Sequence, residues 1–385
     1  MKTVMLGELI TQAKVRRAGA EMFPVLSMTM HDGLVDQSQK FKKRIASEDV
    51  SDYKVIERGQ LVVGFPIDEG VLDFQHRYDA AIVSPAYGVW DVNGAAVERD
   101  YLGRFLRSPR ALSYYKAKLR GSTARRRSLP SEIFLALQIP LPSLAEQRRV
   151  VAILDHVESL RVKRSRNNDN WNELASSTFY EMFGDPVVNP RGWPTGKLAD
   201  QVSDMQYGPR FYNESYSADG MRIVRITDLN QNGTLDFQTM PRMSVTAHDE
   251  HKYRLSSGDI IFARTGATVG KLAVIREQDP PCIAGAYFIR IQLKEAVEPD
   301  YAAAVLRSRS IQSIIVGGSH QSAQQNFSGP GLRALPFPVP PIELQRQFAA
   351  VLAEQAKAQA PISRSTQDLD RLFASLQSRA FRGEL

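Results

Sequence analysis

The sequence predicts an α+β fold in which two globular heads alternate with two long helices, and three observations carry that expectation. At 385 residues the chain is too long for one ordinary core. A passage near its middle, "IPLPSLAEQRRVVAILD" at residues 139–155, returns as "FPVPPIELQRQFAAVLA" at residues 337–353. Elsewhere short apolar runs such as "AAIVS" and "KLAVI" alternate with turn residues, as half-buried strands do.

The repeat sets the domain plan. At an offset of 198 the two copies align without a gap over 45 positions, from Ile139/Phe337 to Phe183/Phe381, and eleven of these are identical. They are Pro140, Pro142, Gln147, Arg148, Ala152, Leu154, Ser165, Arg166, Leu174, Ser177 and Phe183 with their partners. A period this long does not describe a solenoid but a large domain plus a connector, written twice. The plan is therefore a head at residues 1–138, a connector at 139–188, a second head at 189–336 and a second connector at 337–385. The heads resemble each other far less than the connectors do.

Each connector has a marked helix start. Pro140 and Pro142 keep the chain extended, after which Ser143, Leu144, Ala145 and Glu146 spell a capping box. In the second copy Pro341 stands near the first helical position and Glu343 near the positive end of the helix dipole. Heptads counted from Val150 run through Ile153, Val157, Leu160, Trp171 and Leu174. The same register in the second copy gives Phe348, Val351, Ile362, Leu369, Leu372 and Leu376. Two stripes of equal length in one chain make each the economical partner of the other, as a coiled coil. About 40 residues of helix make a rod of roughly 60 Å, long enough to act as a spacer.

The net charge of +7 is localised. Residues 101–131 hold nine basic side chains and no Asp or Glu, and the rest of the chain has 40 basic against 42 acidic residues. The stretch ends in "RGSTARRRSLPS", with Arg120, Arg125, Arg126 and Arg127. Such segregation favours contact with a polyanion over a merely solvated face.

Catalysis is not expected in this chain. "GATVGKL" at residues 266–272 is too short between its glycines for a phosphate loop, and Leu272 stands where Ser or Thr is required. There is no HExxH, no Rossmann glycine fingerprint and no Asn-Pro-Pro-aromatic methyltransferase motif. The single cysteine, Cys282, has no cluster of metal-site spacing around it and reads as a core residue. No apolar run reaches 18 residues, and the N-terminus lacks the pattern of a signal peptide, so a cytoplasmic protein without a membrane partner is expected.

The duplicated passage, together with "RITDLNQNG" at residues 225–233, "GDIIFARTGATVGKLAVI" at 258–275 and "SLQSRAFRGEL" at 375–385, resembles the specificity subunit of type I restriction-modification systems. The resemblance covers nearly the whole chain. It implies two target recognition domains joined by two helices that pair antiparallel, reading a bipartite site in double-stranded DNA. It also implies two methyltransferase subunits as partners, which use S-adenosylmethionine to methylate adenine, and endonuclease/translocase subunits. No cofactor is implied for this chain. Two rival readings stay open on the residues alone: a coiled-coil scaffold that does not bind DNA, and the specificity moiety of another modification system.

The chain departs from the family pattern in two places. The second helix begins "ELQR" where the first has "AEQR", and the first head has "ERGQLVVGFPIDEG" where the second has "SSGDIIFARTGATVGK". The two heads are therefore expected to read different sequences. In the second head the polar loop "GGSHQSAQQNFSGP" at residues 317–330 matches in position the arginine run of the first. Its Gln324, Gln325 and Asn326 can pair with adenine edges and His320 lies beside them, whereas Arg120, Arg125, Arg126 and Arg127 suit phosphate or guanine. Arg264 and Lys271 flank a Gly-rich turn that can approach a phosphate.

Overall fold

The structure, a computed structural model, describes residues 2–30, 32–40, 49–119, 129–210, 215–230, 233–319 and 325–385. The side chains of residues 39, 40, 168, 169, 172, 363, 364 and 367 are not among those described. The chain divides into two units, one of Met1–Lys163 with Thr366–Leu385 and the other of Arg164–Ser365, so the division falls inside both long helices. The architecture is α+β in each unit.

In the first unit the strands are β1 (Lys2–Met5), β2 (Ile10–Gln12), β3 (Leu26–Thr29), β4 (Gly33–Asp36), β5 (Lys54–Glu57), β6 (Leu61–Val63), β7 (Leu72–Phe74), β8 (Ala80–Val83), β9 (Gly88–Val92) and β10 (Gln138–Leu141). An antiparallel sheet of order β2-β9-β6-β7 packs its apolar side on the helices Arg99–Leu106 and Pro109–Lys118. The second unit contains β11 (Thr195–Lys197), β12 (Val202–Tyr207), β13 (Met221–Val224), β14 (Arg242–Met243), β15 (Ile260–Ala263), β16 (Leu272–Val274), β17 (Cys282–Ala284), β18 (Phe288–Leu293) and β19 (Pro336–Pro338). Its main sheet runs β12-β18-β15-β16, and it packs on the helices Pro299–Arg307 and Arg309–Ser319.

The two heads thus share one topology. In each, a strand before the head closes on a strand after it, β1 on β10 and β11 on β19. In each, a smaller sheet contains one parallel link, the Val25–Ile82 bridge in the first and β13–β17 in the second. The stretches "ERGQLVVGFPIDEG" and "SSGDIIFARTGATVGK", unlike as text, occupy the same hairpin. Both enter through a left-handed glycine, Gly59 or Gly258, and both pass a short 3-10 turn before leaving through another, Gly70 or Gly270. Side chains differ while the positions that demand φ > 0 coincide.

The duplicated residues hold head to helix. Gln147 is fully buried; its Oε1 accepts from the Glu98 amide at 2.8 Å and its Nε2 donates to the Pro142 carbonyl at 2.9 Å. Gln345 does the same with the Glu298 amide (2.9 Å) and the Pro340 carbonyl (2.8 Å). The buried hydroxyls of Tyr101 and Tyr301 donate to the carbonyls of Pro140 and Pro338, and Phe381 and Phe183 pack edge-on against those same tyrosine rings. Buried polar atoms must be paired, and each pairing here fixes the entry of a helix.

The long helices span Leu144–Phe183 and Ile342–Ala380. The capping box forms: the Ser143 amide and hydroxyl both donate to Glu146 at 2.9 Å, and the Glu146 amide donates to the Ser143 hydroxyl at 3.3 Å. The helices pair antiparallel within each unit. In the first, Arg161 reaches Asp370 at 2.7 Å and lies over the Phe373 ring at 4.7 Å. In the second, Phe183 meets Phe348 with ring centroids 5.5 Å apart.

The strict heptad seam needs correction. Val150, Val157 and Phe348 are buried, and Ile153, Leu160, Trp171, Ile362, Leu369 and Leu376 are half-buried. Leu174, Val351 and Leu372, however, are 46%, 40% and 45% exposed. The packed residues are their neighbours one place on: Leu352 and Phe373 lie against the cores, and Leu154 is fully buried where Ile153 is not. Within each unit much of the surface these helices pack against is a globular head rather than a second helix. A straight helix of 3.6 residues per turn then presents i, i+4 instead of the i, i+3 step of a heptad.

Candidate nucleic-acid interface

Of the sequence-derived candidates, Arg120, Arg125, Arg126, Arg127, His320 and Gln324 lie outside the described residues. Arg264, Lys271, Gln325 and Asn326 lie within them, all in the second unit. The structure brings three of these four together. Arg264 follows β15, and the segment Gln325–Phe327 runs beside it: the Phe327 amide donates to the Arg264 carbonyl at 2.8 Å and the Gly266 amide to the Gln325 carbonyl at 2.9 Å. The Arg264 guanidinium donates from Nη1 to Asn326 Oδ1 at 3.2 Å and lies over the Tyr207 ring, 4.8 Å from its centroid. Among the described residues its buried Nε has no hydrogen-bond partner.

Two further contacts fix this cluster. The Tyr207 hydroxyl accepts from the Gly329 amide at 2.9 Å, and the Arg264 amide donates to the Tyr287 carbonyl at 3.0 Å. Gly208 allows the end of β12 to approach the end of β17; a Cβ on it would lie 2.1 Å from the Gly285 carbonyl oxygen. Tyr207, Tyr287 and Asn326 are exposed around the half-buried Arg264. A guanidinium can only donate, so its bond to Oδ1 leaves the Asn326 Nδ2 hydrogens as donors facing outward. Cation, aromatic faces and amide donor together form a surface suited to base edges and phosphate. Sequence reading missed Tyr207 and Tyr287, because nothing local distinguishes an exposed tyrosine from a core one.

Lys271 takes a different place. Its backbone returns the hairpin, accepting from the Ala263 amide at 2.8 Å, and among the described residues its side chain forms no bond with Arg264, Gln325 or Asn326. Beneath it Gln312 donates to the Gly270 carbonyl at 3.0 Å, which locks the turn.

The basic stretch of the first head is partly internal. Arg104 pairs with Asp155, and Arg107 pairs with Asp73 at 2.8 Å while donating to the Leu72 carbonyl. The matching Arg307 of the second head donates to the Leu272 carbonyl, and burial draws its guanidinium down to about 10. Two heads using one arginine in one way identify Arg107 as scaffold. Lys116 and Lys118, on the helix Pro109–Lys118, remain exposed. At the loop that holds Arg264 the first head has Phe65, with Lys14 and Ala86 at the places of Tyr207 and Tyr287.

Among the described residues no group of His, Cys, Asp and Glu is arranged to hold a metal, and no helix is long and apolar enough to cross a membrane. Cys282 is buried, and burial pushes its thiol up to about 12, which makes it inert.

Residues 190–360 match the family model of the type I restriction modification DNA specificity domain. The chain is 22% identical over 258 residues to the type I restriction enzyme MjaVIII specificity subunit of Methanocaldococcus jannaschii, covering 62% of this chain and 59% of that protein. It is 24% identical over 172 residues to the EcoBI specificity subunit of Escherichia coli, covering 43% and 36%. The chain thus matches little more than half the length of the first relative and about a third of the second. A solved structure from work on complex assembly and conformational transition of the type I R-M system shares the fold, with a TM-score of 0.51 at 19% identity over 100% of this chain and 98% of that one.

Proposed function

Because the chain belongs to the specificity subunits of type I restriction-modification systems, we propose that it is the DNA-reading address subunit of such a complex, without catalytic activity of its own. Each head reads one short block of a bipartite site in double-stranded DNA, and the paired helices hold the blocks apart. Two methyltransferase subunits carry S-adenosylmethionine and modify adenine, endonuclease/translocase subunits join them, and the complex works in the cytoplasm. Residues 1–138 and 189–336 serve as recognition domains, and 139–188 and 337–385 as spacers.

One observation carries this reading. The heads share a strand order and their glycine-dependent turns, yet at matching places one has Lys14, Phe65 and Ala86 and the other Tyr207, Arg264 and Tyr287. A common frame with exchanged surface chemistry suits two readers of different sequences. Phosphate contacts supply affinity and register, and base-edge contacts supply the choice. Asn326, held by Arg264, would offer its amide donors to acceptors in the major groove, and Gln325 a second polar contact.

Mapping modified adenines in cells that carry this subunit with its methyltransferase tests the proposal. The expected result is two short specific blocks around a gap of fixed length and free sequence. A single continuous site, or methylation that persists when this subunit is deleted, overturns it.

A further inference from the structure

The strands β13 and β14 place Arg222 directly opposite Arg242. Side chains so paired share a face of the sheet with Cβ atoms about 5 Å apart, and like charges there are destabilising. Among the described residues neither guanidinium has an ion pair or a side-chain hydrogen bond. Three residues on, Arg225 holds the buried Asp228 through two bonds, so this head contains internally paired arginines as well. A third cation, Arg254, enters the same cleft with only a 3.7 Å contact to Glu250. Gly220, Ser244 and Pro281 help line this cleft of about 540 Å³.

The fold does not require these charges. In the first head the parallel link joins Val25 to Ile82 as Ile223 joins Ile283 in the second, which puts Pro24 at the place of Arg222. The cleft lies at the start of β13, beside Gly220 and Pro281, whereas Tyr287 follows the far end of the parallel strand β17. Planar guanidinium forks bind phosphate oxygens bidentately, and three arginines beside one glutamate leave charge for one or two anions.

We propose that Arg222, Arg242 and Arg254 form a cradle for backbone phosphates of the DNA, at the opposite end of β13 and β17 from the segment that leads to Tyr287. The inference rests on the DNA-reading function proposed above and adds an anchor that positions the second head without reading sequence.

The test uses the complex assembled with its methyltransferase subunits, titrated onto cognate and random duplexes at several salt concentrations. The double variant R222Q/R242Q should lower the slope of log K against log salt by about 0.9 for each phosphate it no longer neutralises, with the ratio of cognate to random affinity unchanged. The variant R222K/R242K keeps the charge and should keep most of the slope. Thermal melting of the double variant should be unchanged or higher, since a repulsive pair is removed. A wild-type slope in a folded R222Q/R242Q complex overturns the cradle alone, and so does loss of sequence preference without change of slope. A wild-type complex that binds no DNA overturns the cradle and the function together.

Discussion

Replacing Gln147 by Leu tests whether the duplicated passage exists to fasten each head to its helix. The side chain is fully buried and makes two bonds, from the Glu98 amide and to the Pro142 carbonyl. Leucine fills a similar volume but leaves both backbone groups unpaired. Each orphan costs about 1–3 kcal/mol, so a total of roughly 2–4 kcal/mol is expected once partial hydration is allowed. Because about 1.4 kcal/mol is tenfold, the Glu98 amide should exchange its hydrogen on the order of 30 to 700 times faster. The loss should stay local, since the bond joins the start of the helix Arg99–Leu106 to the start of the first long helix. Hydrogen exchange followed by mass spectrometry on the assembled complex reads this directly. Peptides containing Glu98 should lose protection in Gln147→Leu and those containing Glu298 should not, with the reverse pattern in Gln345→Leu. Unchanged exchange at Glu98, or equal loss in both heads from one substitution, would refute the reasoning.

The remaining expectations follow from the same geometry. Asn326→Asp turns an outward donor into an acceptor and should cost about 1–3 kcal/mol of discrimination at one block only, read as altered methylation at one half of the site. The Ser143 hydroxyl, and then its backbone amide, hold the Glu146 carboxyl below its ordinary value. A depressed carboxylate stabilises above its unfolded value and loses that contribution as pH falls through the folded one, so acid should fray the start of the first helix. The second helix has Pro341 in place of Ser143 and should show no such step in exchange at its first turn. One heptad added to both helices, after Ser165 and Ser363, lengthens each by about 10 Å. The mapped gap should grow by one to three base pairs with both blocks unchanged, and an unchanged gap with full activity removes the helices as the ruler.

How much of this was legible in the sequence depends on how local each cause is. The capping box, the glycines and the repeat are written in neighbouring residues, so the helix starts could be read directly. Charge could not. The stretch 101–131 has no acidic residue, yet Arg104 and Arg107 find Asp155 and Asp73, which lie far away in the chain and close in space. The shared topology of the heads was hidden for the opposite reason. Strand order is set by which faces are apolar and where φ > 0 is needed, and many sequences satisfy both, so "GQLVVGF" and "GDIIFAR" fold alike without looking alike. The seam failed where a periodic rule met a partner that is not periodic. Leu174, Val351 and Leu372 keep the heptad and stand exposed, while Leu154, Leu352 and Phe373 follow the surface against which they pack. An apolar residue that conforms to the repeat yet is left nearly half in solvent contributes little to the fold of this chain. Those three positions, rather than the buried ones, are therefore where substitution by a polar residue should leave the subunit's stability within about 0.5 kcal/mol.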